Sequence, residues 1–416
     1  MKKYDTYKDS GIEWIGEIPE HWKVSKVKYN FSFNTGFTPP SGKAEYYDNG
    51  SHVWINISDL QKKHINDSVN KITDKAIEDY KPEIIPKNSL LYNFKLSIGR
   101  VGFNTIDCYT NEAIFSIHPD DNTNLGFFYY SLPKQIIHNA NENIYGAKIL
   151  NQELIKNAFL IIPPPKEQTA IASYLDRKTS EIDELIADKE ELLKLYEEEK
   201  TALINQAVTK GIDPNVKMKD SGVNWLGEIP EHWEVKRFKY FFNLINIKTD
   251  EKLKKIGLEN IESKSGNYIE TDSDFAGQGI RFYPNDILFG KLRPYLAKVW
   301  LAEFEGHAVG DFYVFRPKNT IFPDFGKYRM LDFSFIEVTN SSTYGSKMPR
   351  VSWEFIADLE IAFPSFEEQQ SIVNYIESET TRLDDKINNT EKLIELLKEY
   401  REALISEVVT GKVKVI

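Results

Sequence analysis

A chain of 416 residues with 41% hydrophobic residues and a formal net charge of −11 has room for two or three domains, part of them non-globular. Its single cysteine, Cys108, excludes a disulfide framework and a cysteine-based zinc site, and fits a reducing cytoplasm. No apolar run is long enough for a membrane span and the start MKKYDTYKDS is no signal peptide, so a soluble cytoplasmic protein with no membrane partner is expected.

In chain order, the first feature is the block Lys8–Tyr29, KDSGIEWIGEIPEHWKVSKVKY. Strands are then expected at Val53–Ile57, Ser89–Phe94, Val101–Asn104 and Glu112–His118, and a helix at Leu125–Asn139. The run Ile161-Ile-Pro-Pro-Pro-Lys-Glu-Gln168 ends a strand and starts a long helix, predicted over 166–208 and stopped by Gly211. The opening block then returns as Lys219–Tyr240, KDSGVNWLGEIPEHWEVKRFKY, with 15 of 22 positions identical at an offset of 211. Strands follow at Lys255–Asn260, Asp286–Phe289, Lys298–Glu303 and Phe312–Phe315, a helix at Phe325–Glu337, and a second long helix over 367–408. The chain is therefore two head-to-tail copies of an α/β (α+β) globule plus a helix: globules at 1–160 and 213–362, helices at 161–212 and 363–416.

The helices carry a strict four-three spacing, the seam of a coiled coil. In the second it selects Ile376, Thr380, Leu383, Ile387, Thr390, Ile394, Leu397, Arg401, Leu404 and Val408. In the first, 201 residues earlier, it selects Leu175, Thr179, Ile182, Ile186, Lys189, Leu193, Tyr196, Lys200, Leu203 and Ala207. A parallel pair would set Lys200 against Arg401 inside the seam, so antiparallel pairing with an approximate two-fold axis is expected. Leu185, Leu192, Leu393 and Leu396 lie off the seam and suggest a wider apolar face than two helices need. Residues 166–208 hold 11 acidic and 6 basic residues and 367–408 hold 11 and 5, which leaves 41 of each sign elsewhere. The globules are neutral and can carry local basic faces, while the acidic rods would stay clear of phosphates.

No phosphate loop, serine elbow, nuclease-like acid cluster or Asn/Asp-Pro-Pro-aromatic methyltransferase motif is present, so no catalytic residue is assigned. Metal ligands are likewise unassigned. Of the histidines only His21 and His232 recur, each beside a tryptophan of the repeated Pro-Glu-His-Trp, where packing is the better reading. Trp14, Trp22, Trp225 and Trp233 recur in register, and suit either packing onto the rods or docking of two copies of one partner. The positive candidates are basic residues in turns with aromatic neighbours, which can meet phosphates or base edges. They are Lys95 and Arg100 around Ser97-Ile98-Gly99, Tyr145 with Lys148, Lys291, Arg293 and Lys298 around Pro294-Tyr295, and Tyr344 with Lys347 and Arg350.

The Gly-Glu-Ile-Pro-Glu-His-Trp opening, the Gly36-Phe37-Thr38-Pro39 turn, the Tyr-Gly-x-Lys turns and the Pro164-to-Gln168 helix start together resemble the specificity subunit of type I restriction–modification enzymes. The likeness covers almost the whole chain. The second copy departs from it by lacking the Gly-x-Thr-Pro turn and by carrying Pro-Ser-Phe before Glu-Glu-Gln. The resemblance implies a non-catalytic reader of double-stranded DNA, with two target-recognition domains that each read half of a bipartite site. It also implies two modification (methyltransferase) subunits as partners and, through them, restriction subunits. S-adenosylmethionine, ATP and Mg would then sit on those partners, and no cofactor on this chain. Different loops in the two globules predict half-sites of different sequence. A second reading, two protein- or glycan-binding modules on a coiled-coil spacer, is compatible with neutral globules and 13% aromatic residues.

Overall fold

Short runs of β-branched and aromatic residues bounded by Gly, Pro and Asn become the central strands of both copies. The computed structural model describes residues 2–120, 123–249, 251–271, 275, 277–345 and 347–415. Its contacts separate into unit 1, Met1–Lys189 with Leu393–Ile416, and unit 2, Glu190–Lys392. The division cuts through both long helices, so each unit holds one globule and a stretch of each helix.

In unit 1 the strands are β1 (Lys23–Lys26), β2 (Phe33–Thr35), β3 (Leu90–Asn93), β4 (Val101–Asn104), β5 (Ile114–Ile117) and β6 (Phe159–Ile162). The helices are α1 (Leu125–Ile136) and α2 (Pro165–Lys210). The main sheet runs β2-β5-β3-β4, antiparallel throughout, with His64–Ile65 added parallel to β4. Leu90, Tyr92, Phe115 and Ile117 of this sheet share one buried core with Phe127, Phe128 and Leu132 of α1. β1 and β6 pair antiparallel and lead into α2.

Unit 2 repeats this frame with β7 (Glu234–Arg237), β8 (Phe242–Ile245), β9 (Ile287–Gly290), β10 (Val299–Leu301), β11 (Phe312–Pro317) and β12 (Glu360–Phe363). The order is β8-β11-β9-β10, again antiparallel, and β7 pairs with β12 as β1 does with β6. Beside the frame the units diverge. Unit 1 carries a three-stranded sheet built on His52–Ile55, and unit 2 a four-stranded one built on Gly279–Phe282 and Gly306–Ala308. The expected strand Lys255–Asn260 is shorter, Lys255–Ile256, followed by a 3-10 turn at Leu258–Asn260. The expected helix Phe325–Glu337 is two helices, α3 (Pro323–Leu331) and α4 (Phe333–Ser341). The break falls at Asp332 (ψ 136°), whose carboxylate accepts the Phe335 N–H at 3.2 Å as an N-cap and the buried Arg329 guanidinium at 2.8 Å.

The last helix is α5 (Phe366–Val409). Its pairing with α2 is antiparallel. In unit 2, advancing from Tyr196 to Lys200 on α2 retreats from Lys386 to Asp384 on α5: Lys386 Nζ lies 5.3 Å from the Tyr196 ring centroid, and Lys200 pairs with Asp384 at 2.6 Å. In unit 1, Arg401 pairs with Asp183 at 2.8 Å, while Ile182, Ile186, Leu397 and Leu404 share the core. The seam cations Lys200 and Arg401 thus each meet a carboxylate of the other helix. Leu175, Ile376, Leu383 and Ile394 are buried, and Leu193, Tyr196, Leu203 and Ile387 are half-buried. The off-seam Leu185, Leu393 and Leu396 stay 40%, 39% and 60% exposed, and Leu192 is half-buried.

The repeated histidine–tryptophan block acts as a clamp on the start of each long helix. Glu167, in the first turn of α2, accepts hydrogen bonds from Trp22 Nε1 at 2.9 Å and Tyr4 OH at 3.1 Å, and bonds His21 Nε2 at 2.6 Å. Glu368 of α5 accepts from Trp233 Nε1 at 3.0 Å and bonds His232 Nε2 at 2.8 Å. A carboxylate at a helix N-terminus also complements the unpaired N–H groups there. The neighbouring glutamines tie α2 and α5 to the globules: Gln168 accepts the Asn124 N–H and Gln369 the Phe322 N–H. Trp22 and Trp233 are buried, Trp14 stacks on His138 at 3.8 Å, and Trp225 lies under Arg329. All four tryptophans make packing contacts within their own units, and among the described residues only Trp22 and Trp233 of the four bond a long helix. Gly411 ends α5 at φ +77°, where a Cβ would lie 2.4 Å from the Pro19 ring of the same clamp.

Candidate nucleic-acid interface

The register equates the strands of the two main-sheet hairpins residue by residue. Tyr92 of β3 faces Val101 and Phe115, and Phe289 of β9 faces Val299 and Tyr313. Two residues further on, the Phe94 N–H donates to the Ala113 carbonyl at 3.0 Å and the Lys291 N–H to the Asp311 carbonyl at 2.9 Å. Asn93 and Gly290 donate to the carbonyls of Arg100 and Lys298, both at 2.8 Å, and close the hairpins. Counted from β3 and β9, Lys95 corresponds to Leu292 and Leu96 to Arg293; counted from the returning strands, Arg100 corresponds to Lys298, and the turn between is six residues long in unit 1 and seven in unit 2.

In unit 1 the tip is organised from below by the buried Asn93. Its side chain donates to the Ser97 carbonyl at 2.7 Å and accepts the Lys95 N–H at 3.2 Å. Lys95 is exposed and pairs with Glu112 at 3.5 Å, while Glu112 also accepts a hydrogen bond from Thr38. Burial opposes ionisation of Glu112, yet the Thr38 hydroxyl and the Lys95 charge hold its carboxyl below the usual range. The Gly-x-Thr-Pro turn is thus wired to the hairpin. Gly36 has no alternative there, since a Cβ would lie 1.9 Å from the Thr110 carbonyl oxygen. Arg100 is exposed, with no side-chain hydrogen bond or ion pair among the described residues. Leu96 stands at the tip with φ +57° and 90% exposure.

In unit 2 both predicted basic turns come together. Leu292 and Tyr344 each form a β-bridge with Arg350, the Arg293 N–H donates to the Pro349 carbonyl at 2.8 Å, and the Val351 N–H to the Lys291 carbonyl at 3.1 Å. Arg350 is engaged in a two-pronged pair with Asp311 at 2.9 and 2.8 Å, and this hydrogen bonding holds its guanidinium above the ordinary range. Lys291 lies over the Tyr313 ring at 5.2 Å. Lys347 and Tyr344 are exposed; Ser346 of this turn lies outside the described residues. Arg293 is exposed at φ +52° and has no side-chain partner among the described residues. Lys298, by contrast, turns inward and donates to the Leu258 carbonyl at 2.7 Å.

The remaining candidates, Tyr145 and Lys148, sit on a small hairpin of Asn141–Glu142 and Lys148–Ile149. Tyr145 is 86% exposed, and Lys148 pairs with Glu142 at 2.7 Å. Sequence reading missed Leu96, because an exposed leucine carries no charge signal, and missed the tethering acids Glu112 and Asp311. Among the described residues no group of three or more His, Cys, Asp or Glu could hold a metal ion, and no helix is long and apolar enough to cross a membrane.

Comparison with known proteins assigns the family. The family model of the type I restriction modification DNA specificity domain matches twice, over residues 19–195 and 230–399, one match on each copy of the frame. The chain belongs to this family. Over 425 residues it is 26% identical to the type I restriction enzyme MjaIX specificity subunit of Methanocaldococcus jannaschii, covering 96% of this chain and 95% of that one. Its fold is similar to the HsdS subunit from Thermoanaerobacter tengcongensis (TM-score 0.60, 13% identity, 95% and 98% of the two chains covered). A chain from a study of complex assembly and conformational transition in the type I R-M system gives a TM-score of 0.68 at 12% identity, covering 95% and 99%. Family membership decides between the two readings of the sequence: this is a DNA-specificity subunit, non-catalytic, and the adaptor reading is set aside.

Proposed function

We propose that unit 1 and unit 2 each read one half of a bipartite, asymmetric site in double-stranded DNA. The antiparallel helices set the gap between the halves and hold two modification subunits, and restriction subunits through them. The observation that carries this reading is one strand frame built twice with hairpin tips of different chemistry. Two readers on one duplex must match its helical repeat, which gives a rigid spacer its purpose. Lys95, Arg100, Tyr145, Lys148, Lys291, Arg293, Tyr344 and Lys347 are the contact candidates; exposed cations supply phosphate affinity and few base-edge contacts supply specificity. Arg350 and Lys298 shape the surface from behind. S-adenosylmethionine, ATP and Mg belong to the partners, which also swing the target adenine out of the stack.

The test is a genome-wide map of N6-methyladenine in cells carrying the partner methyltransferase, with and without this gene. Loss of one split, asymmetric motif is expected on deletion. Exchange of residues 241–350 should alter one half of that motif and leave the other. A palindromic motif, or an unchanged map, would overturn the reading.

A further inference from the structure

Leu96 and Arg293 both lie four residues beyond the equivalent strand residues Tyr92 and Phe289, so they match when counted from the ascending strand, although the turn of unit 2 is one residue longer before the chain returns. Both have left-handed backbone, φ +57° and +52°, which side chains with a Cβ rarely adopt and which glycine or asparagine would take with little strain. Both are exposed at the tip of the hairpin. Each is held there by a different device: the buried Asn93 beneath one, and the Pro349 carbonyl with the Arg350–Asp311 pair behind the other. Strain kept at an exposed point by two unrelated scaffolds marks a position where the side chain itself is needed outside the protein. The frame is common to both units, and the side chain is apolar in one and cationic in the other.

We infer that this tip position is a specificity determinant of each unit, with Arg293 reading a guanine and Leu96 reading a thymine methyl group. The inference rests on the DNA reading proposed above. A guanidinium pairs two-pronged with guanine O6 and N7 in the major groove, whereas an aliphatic side chain has no base-edge acceptor to satisfy and packs on the thymine C5 methyl. The half-site of unit 2 therefore contains a guanine, and that of unit 1 a thymine, whose recognition depends on one residue each. Arg350 is a positioning residue, acting on Arg293 through Pro349 and Leu292.

The experiment uses the full chain co-produced with its modification subunit, with methylation rates measured on duplexes carrying the mapped site. Asparagine tolerates left-handed backbone and pairs with adenine, so Arg293→Asn should move the preference at one base pair of the unit 2 half from guanine to adenine, by roughly 5- to 150-fold. In the unaltered complex, 7-deazaguanine at that pair should slow methylation. Uracil for thymine at one pair of the unit 1 half should do the same, and lose its effect in Leu96→Ala. Melting temperatures of both variants should equal or exceed that of the parent. If Arg293→Asn and Leu96→Ala leave preference unchanged at every position while the parent writes its split motif, this inference fails and the DNA reading stands. If the parent writes no motif, both fail.

Discussion

Replacing Glu167 by alanine tests whether the clamp fixes α2 to unit 1. The loss has three parts. Trp22 is fully buried, and its Nε1–H would be left without the acceptor it has at 2.9 Å, which costs roughly 1–3 kcal/mol. The favourable placement of a carboxylate in the first turn of α2 is worth about 0.3–1 kcal/mol. The bond to the exposed His21 can be replaced in part by water, while the hydroxyl of the buried Tyr4 also loses its acceptor, so the total is about 2–4 kcal/mol. Glu368→Ala makes the internal control: it has two donors rather than three, and its side chain is 27% exposed against 17% for Glu167. Its loss should be smaller by about 1 kcal/mol. Native-state hydrogen exchange of the amides in the first three turns of each helix reads both effects locally, and urea unfolding reads them globally. Glu167→Gln keeps an acceptor for Trp22 and should recover about half of the loss. A Glu167→Ala protein within about 0.5 kcal/mol of the parent, the range of ordinary surface changes, would refute the reasoning.

Asp332→Asn leaves an acceptor for the cap of α4 but removes the charge beside Arg329, whose side chain is 3% exposed. A buried guanidinium without its partner costs about 3–5 kcal/mol, so the melting temperature should fall steeply and recover when Arg329→Met is added; a loss below about 1 kcal/mol would contradict this. Burial holds the His118 imidazole below its ordinary value of 6.5, against the opposing pull of Glu83. With the folded value below the unfolded one, its stabilising contribution is complete above pH 6.5 and is lost as pH falls through the folded value. Stability should therefore decline more from about pH 7.5 to 5 in the parent than in His118→Asn, and superimposable profiles would dismiss the effect.

Some of this was legible in the residues because it is local. The four-three stripe on 166–208 and 367–408 is a property of each helix alone, and Lys200 and Arg401 alone argued for the antiparallel sense that their pairing with Asp384 and Asp183 now displays. The central strands were legible for the same reason, as runs of apolar residues between turn formers. The break at Asp332 was not, because the apolar spacing continues across it and only the buried arginine on the preceding turn makes a cap there worthwhile. The tips were not legible either. Lys298 and Arg100 look alike in sequence and are equivalent in register, yet one is spent on the Leu258 carbonyl and the other faces solvent. Telling them apart requires the strand register and the second sheet, which differ between the units.

Packing of the repeated block onto the rods was one reading of the sequence, but its bonds to Glu167 and Glu368 escaped that reading for a more instructive reason. The two halves of the clamp repeat at different offsets, 211 for the histidine–tryptophan block and 201 for the helix start. The segment between them is 146 residues from His21 to Glu167 and 136 from His232 to Glu368, and equivalent histidine and tryptophan bonds close both. A closed segment that differs by ten residues over such a length changes its closure entropy by only about 0.1 kcal/mol, far less than one of the bonds at its ends. The enclosed sheets and tips can therefore differ in length, strand count and charge without disturbing the start of α2 or α5. That freedom suits the proposed reader of two unlike half-sites: in each unit the ends meet the long helix in one fixed way, and every contact candidate named above lies between them.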